Sequence, residues 1–276
     1  MIESSKERDD EKPPLFQTVA IVGVGLLGGS VGLAMRARRV TTRVIGIDRR
    51  ADVLQNALSL GAIDLAVDNL EGAQEADLIV LGTPVGVIPE LLGELKSIVR
   101  PNAILTDLGS VKSRIVEAGE RIFGDRFLGG HPMAGSEESG ILAARSDLFE
   151  GAAWVFCRTN PTDFERDIVA GKLSKLAEAL GAKPVCKPAG LHDHLVSLIS
   201  HLPHVISYAY SEMIDLDESA IEAKEIAAGS YRDLTRTAKS DRTLWNGIFL
   251  ENRNELLIAI AEMQLRLEDL KRTLEV

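Results

Sequence analysis

Residues 18–29 read TVAIVGVGLLGG: a β-branched run passes directly into three glycines in GxGxxG spacing and then into a helical pattern. Few local sequences leave a chain so little freedom. Gly23 permits a tight turn after the strand, Gly25 lets the backbone approach a bound group, and Gly28 lets the next helix pack closely on the strand. The same strand-then-helix alternation continues downstream. Strand candidates at 18–23, 42–48, 76–83 and 103–109 are near-continuously apolar, as strands covered by helices on both faces should be. Helical spacing fills 26–39, 51–60, 86–98 and 111–123 between and after them. This alternation predicts an α/β fold with a Rossmann-type, doubly wound, mainly parallel sheet.

A further apolar run at 151–158, a helix near 163–180 and a short strand near 182–187 are expected to extend that sheet. From Pro188 strand signals stop and helical spacing runs to Val276. The expected organisation is a disordered tail over 1–16, a dinucleotide-binding domain over 17–187 and an all-α domain over 188–276. In the last helix Leu256, Ile260, Met263, Leu267, Leu270 and Leu274 recur at steps of four and three, a heptad-like stripe. It serves either packing within the chain or a homodimer seam, and the dimer is favoured.

Composition narrows the functional classes. With 276 residues and 45% hydrophobic content the chain can bury real cores. A net charge of -10 argues against nucleic acid or anionic membrane as a partner, since either needs a basic surface. The N-terminal MIESSKERDDEKPP lacks the apolar stretch of a secretory signal, and no run is long enough to span a bilayer. Cys157 and Cys186 lie far apart without CxxC spacing, which indicates neither a disulfide framework nor a thiolate metal site. A protein of the reducing cytoplasm, with no thiolate-held metal, is the expectation.

The glycine turn points to a dinucleotide. The helix starting at Leu26 and Leu27 presents its N-terminus to phosphates. Asp48 lies twenty residues past Gly28, where an acid accepts hydrogen bonds from the adenine-ribose hydroxyls of NAD and repels the extra phosphate of NADP. Arg49 and Arg50 follow at once, either to cover a 2′-phosphate or as the solvated start of a helix, so NAD is favoured and NADP stays open. Thr83 and Pro84 suit a loop crossing the cofactor, or equally a proline-stiffened turn.

Chemistry in an open α/β sheet belongs at the carboxyl ends of the strands. Ser110 follows the fourth strand candidate and can cap a helix, touch a ligand, or do both. His131 stands in GGHPMAGSE, read as a loop, with a side chain suited to removing an alcohol proton as hydride leaves carbon. Ser136, Glu137 and Glu138 can cap the next helix or face substrate. In the helical part, His201 and His204 are three apart in SHLPH, Ser197 and Ser200 sit one turn earlier, and Pro203 is expected to bend the helix. Zinc ligation by these with His192 and His194 lacks a recognised ligand spacing; polar packing between helices and a ligand pocket are the other readings. Arg232 and Arg236, one turn apart, are natural carboxylate clamps, with Lys239 a weaker candidate. Trp245 and Phe249 are expected to anchor the helix core.

The ordered blocks VGVGLLGGS, DLGSVK, GGHPMAGSE, SHLPH, YRDLTR and LWNGIFLEN resemble the prephenate/arogenate dehydrogenase family of tyrosine biosynthesis. The resemblance implies oxidative decarboxylation of prephenate or arogenate with hydride transfer to NAD or NADP. It implies that His131 assists deprotonation of the ring hydroxyl, that Ser110 orients that hydroxyl and the nicotinamide, that His204 and Ser200 line the substrate pocket, and that Arg236 holds a carboxylate. Glu137 is a further substrate-side candidate. It also implies that the helical domain dimerises. Rivals are another Rossmann dehydrogenase acting on a small hydroxy acid, against which the blocks after Gly109 argue, and a non-catalytic dinucleotide sensor, which would need no base.

Overall fold

A computed structural model describes residues 13–136, 138–160 and 166–275. Glu137 and most of the tail lie outside the described residues. Eight strands form one sheet in the order β3-β2-β1-β4-β5-β6-β7-β8. They are β1 (Phe16–Val22), β2 (Thr41–Ile47), β3 (Leu65–Val67), β4 (Leu78–Leu81), β5 (Ile104–Asp107), β6 (Phe127–Pro132), β7 (Ala153–Arg158) and β8 (Lys183–Pro188). The first six are parallel; β7 runs antiparallel to β6, and β8 is parallel to β7. The glycine turn therefore opens at the switch point between β1 and β4, where strand order reverses.

Alternation along β1 divides the core. Val19 and Ile21 face one apolar cluster with α1 (Leu26–Ala37), α2 (Ala51–Ser59) and α5 (Ile168–Ala179). Ala20 and Val22 face the other, with α3 (Ile88–Leu95) and α4 (Ser113–Phe123). Both faces are covered, which is why these strands lack polar alternation. Two strands escape a reading based on apolar runs. β3 has only three residues, and β6 carries Gly129, Gly130 and Pro132 inside the strand. GGHPMAGSE is thus half strand, and its glycines answer a packing need. A Cβ on Gly130 would lie 2.6 Å from the Asp107 carbonyl oxygen, and one on Gly129 2.6 Å from Val116.

Because β7 and β8 run against the rest, β8 ends at the opposite edge of the sheet and α6 (Ala189–Val196) turns back across the face. Beyond it come a π turn (Ser197–His201), α7 (Leu202–Asp215), α8 (Ala220–Glu225), α9 (Gly229–Arg236), α10 (Arg242–Glu251) and α11 (Arg253–Leu274). Pro203 sits in the first turn of α7, where its missing N–H is tolerated; the irregularity falls in the π turn just before it, not at the proline. Ile248 joins the sheet's second cluster and Arg114 donates to Glu251 at 2.7 Å, so α10 is docked on the α/β part. Among the described residues no helix is long and apolar enough to cross a membrane.

Candidate active site

The glycine turn has the geometry its spacing implied. Gly23 has φ +89°, and a Cβ there would lie 2.7 Å from Gly82 at the end of β4. At Gly28 a Cβ would be 2.2 Å from the Gly23 carbonyl oxygen, whereas at Gly25 it would meet nothing. No side chain caps the start of α1, so the amides around Leu26 and Leu27 are left for an anion. That open, uncapped cradle fits a pyrophosphate. Asp48 accepts from the backbone N–H of Val24 at 3.2 Å and of Arg50 at 3.0 Å, which locks the carboxylate to the turn and leaves lone pairs for ribose hydroxyls. Arg50 lies with Nε 3.7 Å from Asp48, while Arg49 is exposed. The Thr83 hydroxyl is buried without a partner among the described residues, and Pro84 leads the short turn Val85–Val87.

At the carboxyl edge, β5 ends in Asp107 and β6 in His131 and Pro132. Lys112 is wholly buried, ion-paired with Asp107, and donates to the Gly130 carbonyl at 2.8 Å. Asp107 in turn accepts from the N–H of Gly109 at 2.8 Å and Gly130 at 3.0 Å, so one buried pair ties the two strand ends together. Ser110 stands half-buried in this turn, with no hydrogen-bond partner among the described residues. It does not cap α4. That cap comes from Asp193 on α6, whose carboxylate accepts from the N–H of Lys112 at 2.7 Å and Ser113 at 2.8 Å.

His131 is reached by the same helix. Its Nδ1 is 2.9 Å from His192 Nε2, and His192 Nδ1 is 2.8 Å from Asp193 Oδ1. Burial, with His192, Lys112 and His201 close by, holds the His131 imidazole well below its usual pKa. It is therefore uncharged and able to accept a proton at neutral pH. Burial raises Asp193, yet hydrogen bonds from His192, Ser113 and Lys112 together bring it below the ordinary carboxylate value. Asn252, between α10 and α11, donates to the Asp193 carbonyl at 2.8 Å and lies 3.0 Å from His201 Nδ1. His201 Nε2 is buried with no partner among the described residues. Burial, reinforced by His192 and His204 against the pull of Asp193, lowers His201 to about 4.

His204 stacks on Trp245 with ring centroids 3.4 Å apart, and its Nδ1 donates to the Ser200 carbonyl at 3.0 Å, leaving Nε2 as an acceptor. Burial lowers its pKa first; the Ser200 bond opposes this and Arg236 adds to it, which sets the guanidinium within electrostatic reach. Arg236 closes α9 and, with Arg232, Lys239, Tyr231 and the Ser211 hydroxyl, which has no partner among the described residues, lines a cavity of about 580 Å³. None of the three cations is ion-paired among the described residues, so Arg232 does not pair with Asp233. Among the described residues no hydrogen bond joins this cluster to His131; His201 lies between them electrostatically. Ser136 Oγ accepts from the N–H of Glu138 at 3.1 Å in a local turn, and the short turn that follows, Ile141–Ala143, is capped by Gly140, so neither residue caps a helix there. Trp245 and Phe249 do pack among the helices, Trp245 also as the platform for His204.

Sequence spacing carries no signal for the partnership of His131 with His192 and Asp193, which are sixty-one residues away or more. Lys112 carries no such signal either, since a lysine in a turn after a strand is ordinarily solvated and only the fold buries this one.

Residues 31–185 match the family model described as the prephenate dehydrogenase nucleotide-binding domain, and residues 188–276 the one described as the prephenate dehydrogenase dimerization domain. The chain belongs to the prephenate dehydrogenase family. A prephenate dehydrogenase of Lactococcus lactis is 35% identical over 262 residues, 92% of this chain and 70% of that one. The crystal structure of prephenate dehydrogenase from A. aeolicus in complex with hydroxyphenyl propionate and NAD+ superposes with TM-score 0.86 at 32% identity, covering 94% of this chain and 90% of that one. The Synechocystis arogenate dehydrogenase structure follows with TM-score 0.78 at 30% identity over 94% and 92%.

Proposed function

We propose that this chain catalyses the NAD-dependent oxidative decarboxylation of prephenate, or of its amino counterpart arogenate, to 4-hydroxyphenylpyruvate or tyrosine. Gly23, Gly25, Gly28 and the amides of Leu26 and Leu27 hold the pyrophosphate at the helix N-terminus. Asp48 takes the adenine-ribose hydroxyls, Arg49 stays available to a 2′-phosphate, and Thr83 and Pro84 line the cofactor's path at the switch point. Bound nicotinamide supplies the hydride acceptor. His131 takes the ring hydroxyl proton at Nε2 while Ser110 orients that hydroxyl. Arg236 clamps a substrate carboxylate, and His204 with Ser200 forms the adjoining wall. Loss of carbon dioxide and aromatisation make the conversion effectively irreversible.

The observation that carries this reading is an uncharged, half-buried imidazole at the carboxyl edge of a sheet whose switch point bears an uncapped glycine cradle. In this reading a dinucleotide-binding domain over 17–187 is followed by a helical domain over 188–276 that pairs with a second copy, a pairing supported by the match to a dimerization-domain model. The test is His131→Ala assayed with prephenate and arogenate, each with NAD and NADP. Turnover should fall by about 10²- to 10⁴-fold with cofactor affinity kept; wild-type turnover overturns the assignment.

A further inference from the structure

We infer that His192 and Asp193 are positioning residues that act through His131, fixing it as the tautomer whose Nε2 is bare. The inference rests on His131 being the base. The hydrogen-bond directions follow from Asp193 outward. A carboxylate only accepts, so His192 must donate from Nδ1 across the 2.8 Å contact. With its one proton on Nδ1, His192 offers an acceptor at Nε2, and across the 2.9 Å contact His131 then donates from Nδ1. One lone pair is left on the imidazole, at Nε2. Without the relay the proton exchanges between the two nitrogens, and the fraction carrying it on Nε2 is inert as a base.

Every part of the relay is held. His192 and Asp193 are 2% and 3% exposed. Asp193 cannot rotate without releasing the N–H groups of Lys112 and Ser113, and its backbone carbonyl is fixed by Asn252. Among the described residues the charged and titratable groups around the pair are Asp107 from β5, Lys112 from the turn before α4, Cys157 from β7 and His201 from the π turn. Lys112 opposes charge on His131 even though Asp107 pairs with it, and the anion in contact with the relay is Asp193, on His192. That anion favours positive charge developing on His131 as the proton arrives. The helical part thereby sets the protonation geometry of a residue belonging to the sheet.

The experiment is a set of substitutions at His192 with one spectroscopic readout. ¹⁵N NMR of histidine-labelled enzyme should find His131 protonated on Nδ1; the Nε2–H tautomer in the wild type overturns the inference. His192→Gln offers an acceptor oxygen where Nε2 was and should keep turnover within about threefold of wild type. His192→Asn, too short to reach, and His192→Leu should lose kcat by about ten- to a hundredfold with KM and NAD affinity unchanged. Equal kcat in the Gln and Asn variants overturns the inference even if Leu does not fold. A dead His131→Ala beside fully active His192 variants would remove the relay and leave the base in place.

Discussion

Lys112 and Asp107 show what the site costs at the scale of single residues. Both are fully buried, and the ammonium is satisfied by one carboxylate and one carbonyl. Removing one partner of such a pair leaves an uncompensated charge, so Lys112→Met should lower unfolding free energy by about 3–5 kcal/mol, read by urea denaturation. A loss below about 1 kcal/mol would mean that Asp107 is held by the Gly109 and Gly130 amides alone. Legibility at this scale is uneven. Residues next to glycines and strand ends, such as Asp48 and His131, announce themselves because the local backbone serves a ligand. His192 does not, since its partner is supplied by tertiary folding and its neighbours in sequence are an ordinary helix.

Among the elements, glycines separate two duties that look alike in a sequence. Gly25 has open space where a Cβ would go and a negative φ of -85°, whereas Gly130 has the Asp107 carbonyl 2.6 Å away. Gly25→Ala should fold with unchanged melting temperature and bind NAD at least tenfold more weakly, by calorimetric titration. Gly130→Ala should cost about 1–3 kcal/mol or more through overpacking between β5 and β6. The opposite pattern would mean that the cradle is structural and β6 has slack. β1, β2, β4 and β5 were legible because burial on both faces makes them continuous apolar runs. β6 was not, because the close approach of its neighbours replaces side chains by glycine, and β3 was too short to leave a pattern.

For the whole molecule the heptad-like stripe is divided. Leu256 is buried and Ile260 and Met263 pack on the chain's own third cluster, whereas Leu267, Leu270 and Leu274 are 58%, 61% and 87% exposed. Covering three leucines is worth about 1.5–3 kcal/mol each, ample reason for a second copy to meet this end of α11. Sedimentation should give twice the 29.9 kDa chain mass, and Leu267→Asp with Leu270→Asp should return it to a monomer; a monomeric wild type would remove the seam. The periodicity was visible in the sequence, but not which half is spent inside the chain. The π turn at Ser197–His201 has a consequence at the same scale. It holds one residue more than an α turn, so α7 is rotated by about 100° from where an unbroken helix would carry it. It works as a phase adjuster between Asp193, clamped to the sheet, and His204, facing Arg236. Excising one residue there would leave both helices whole and put the two halves of the site out of step.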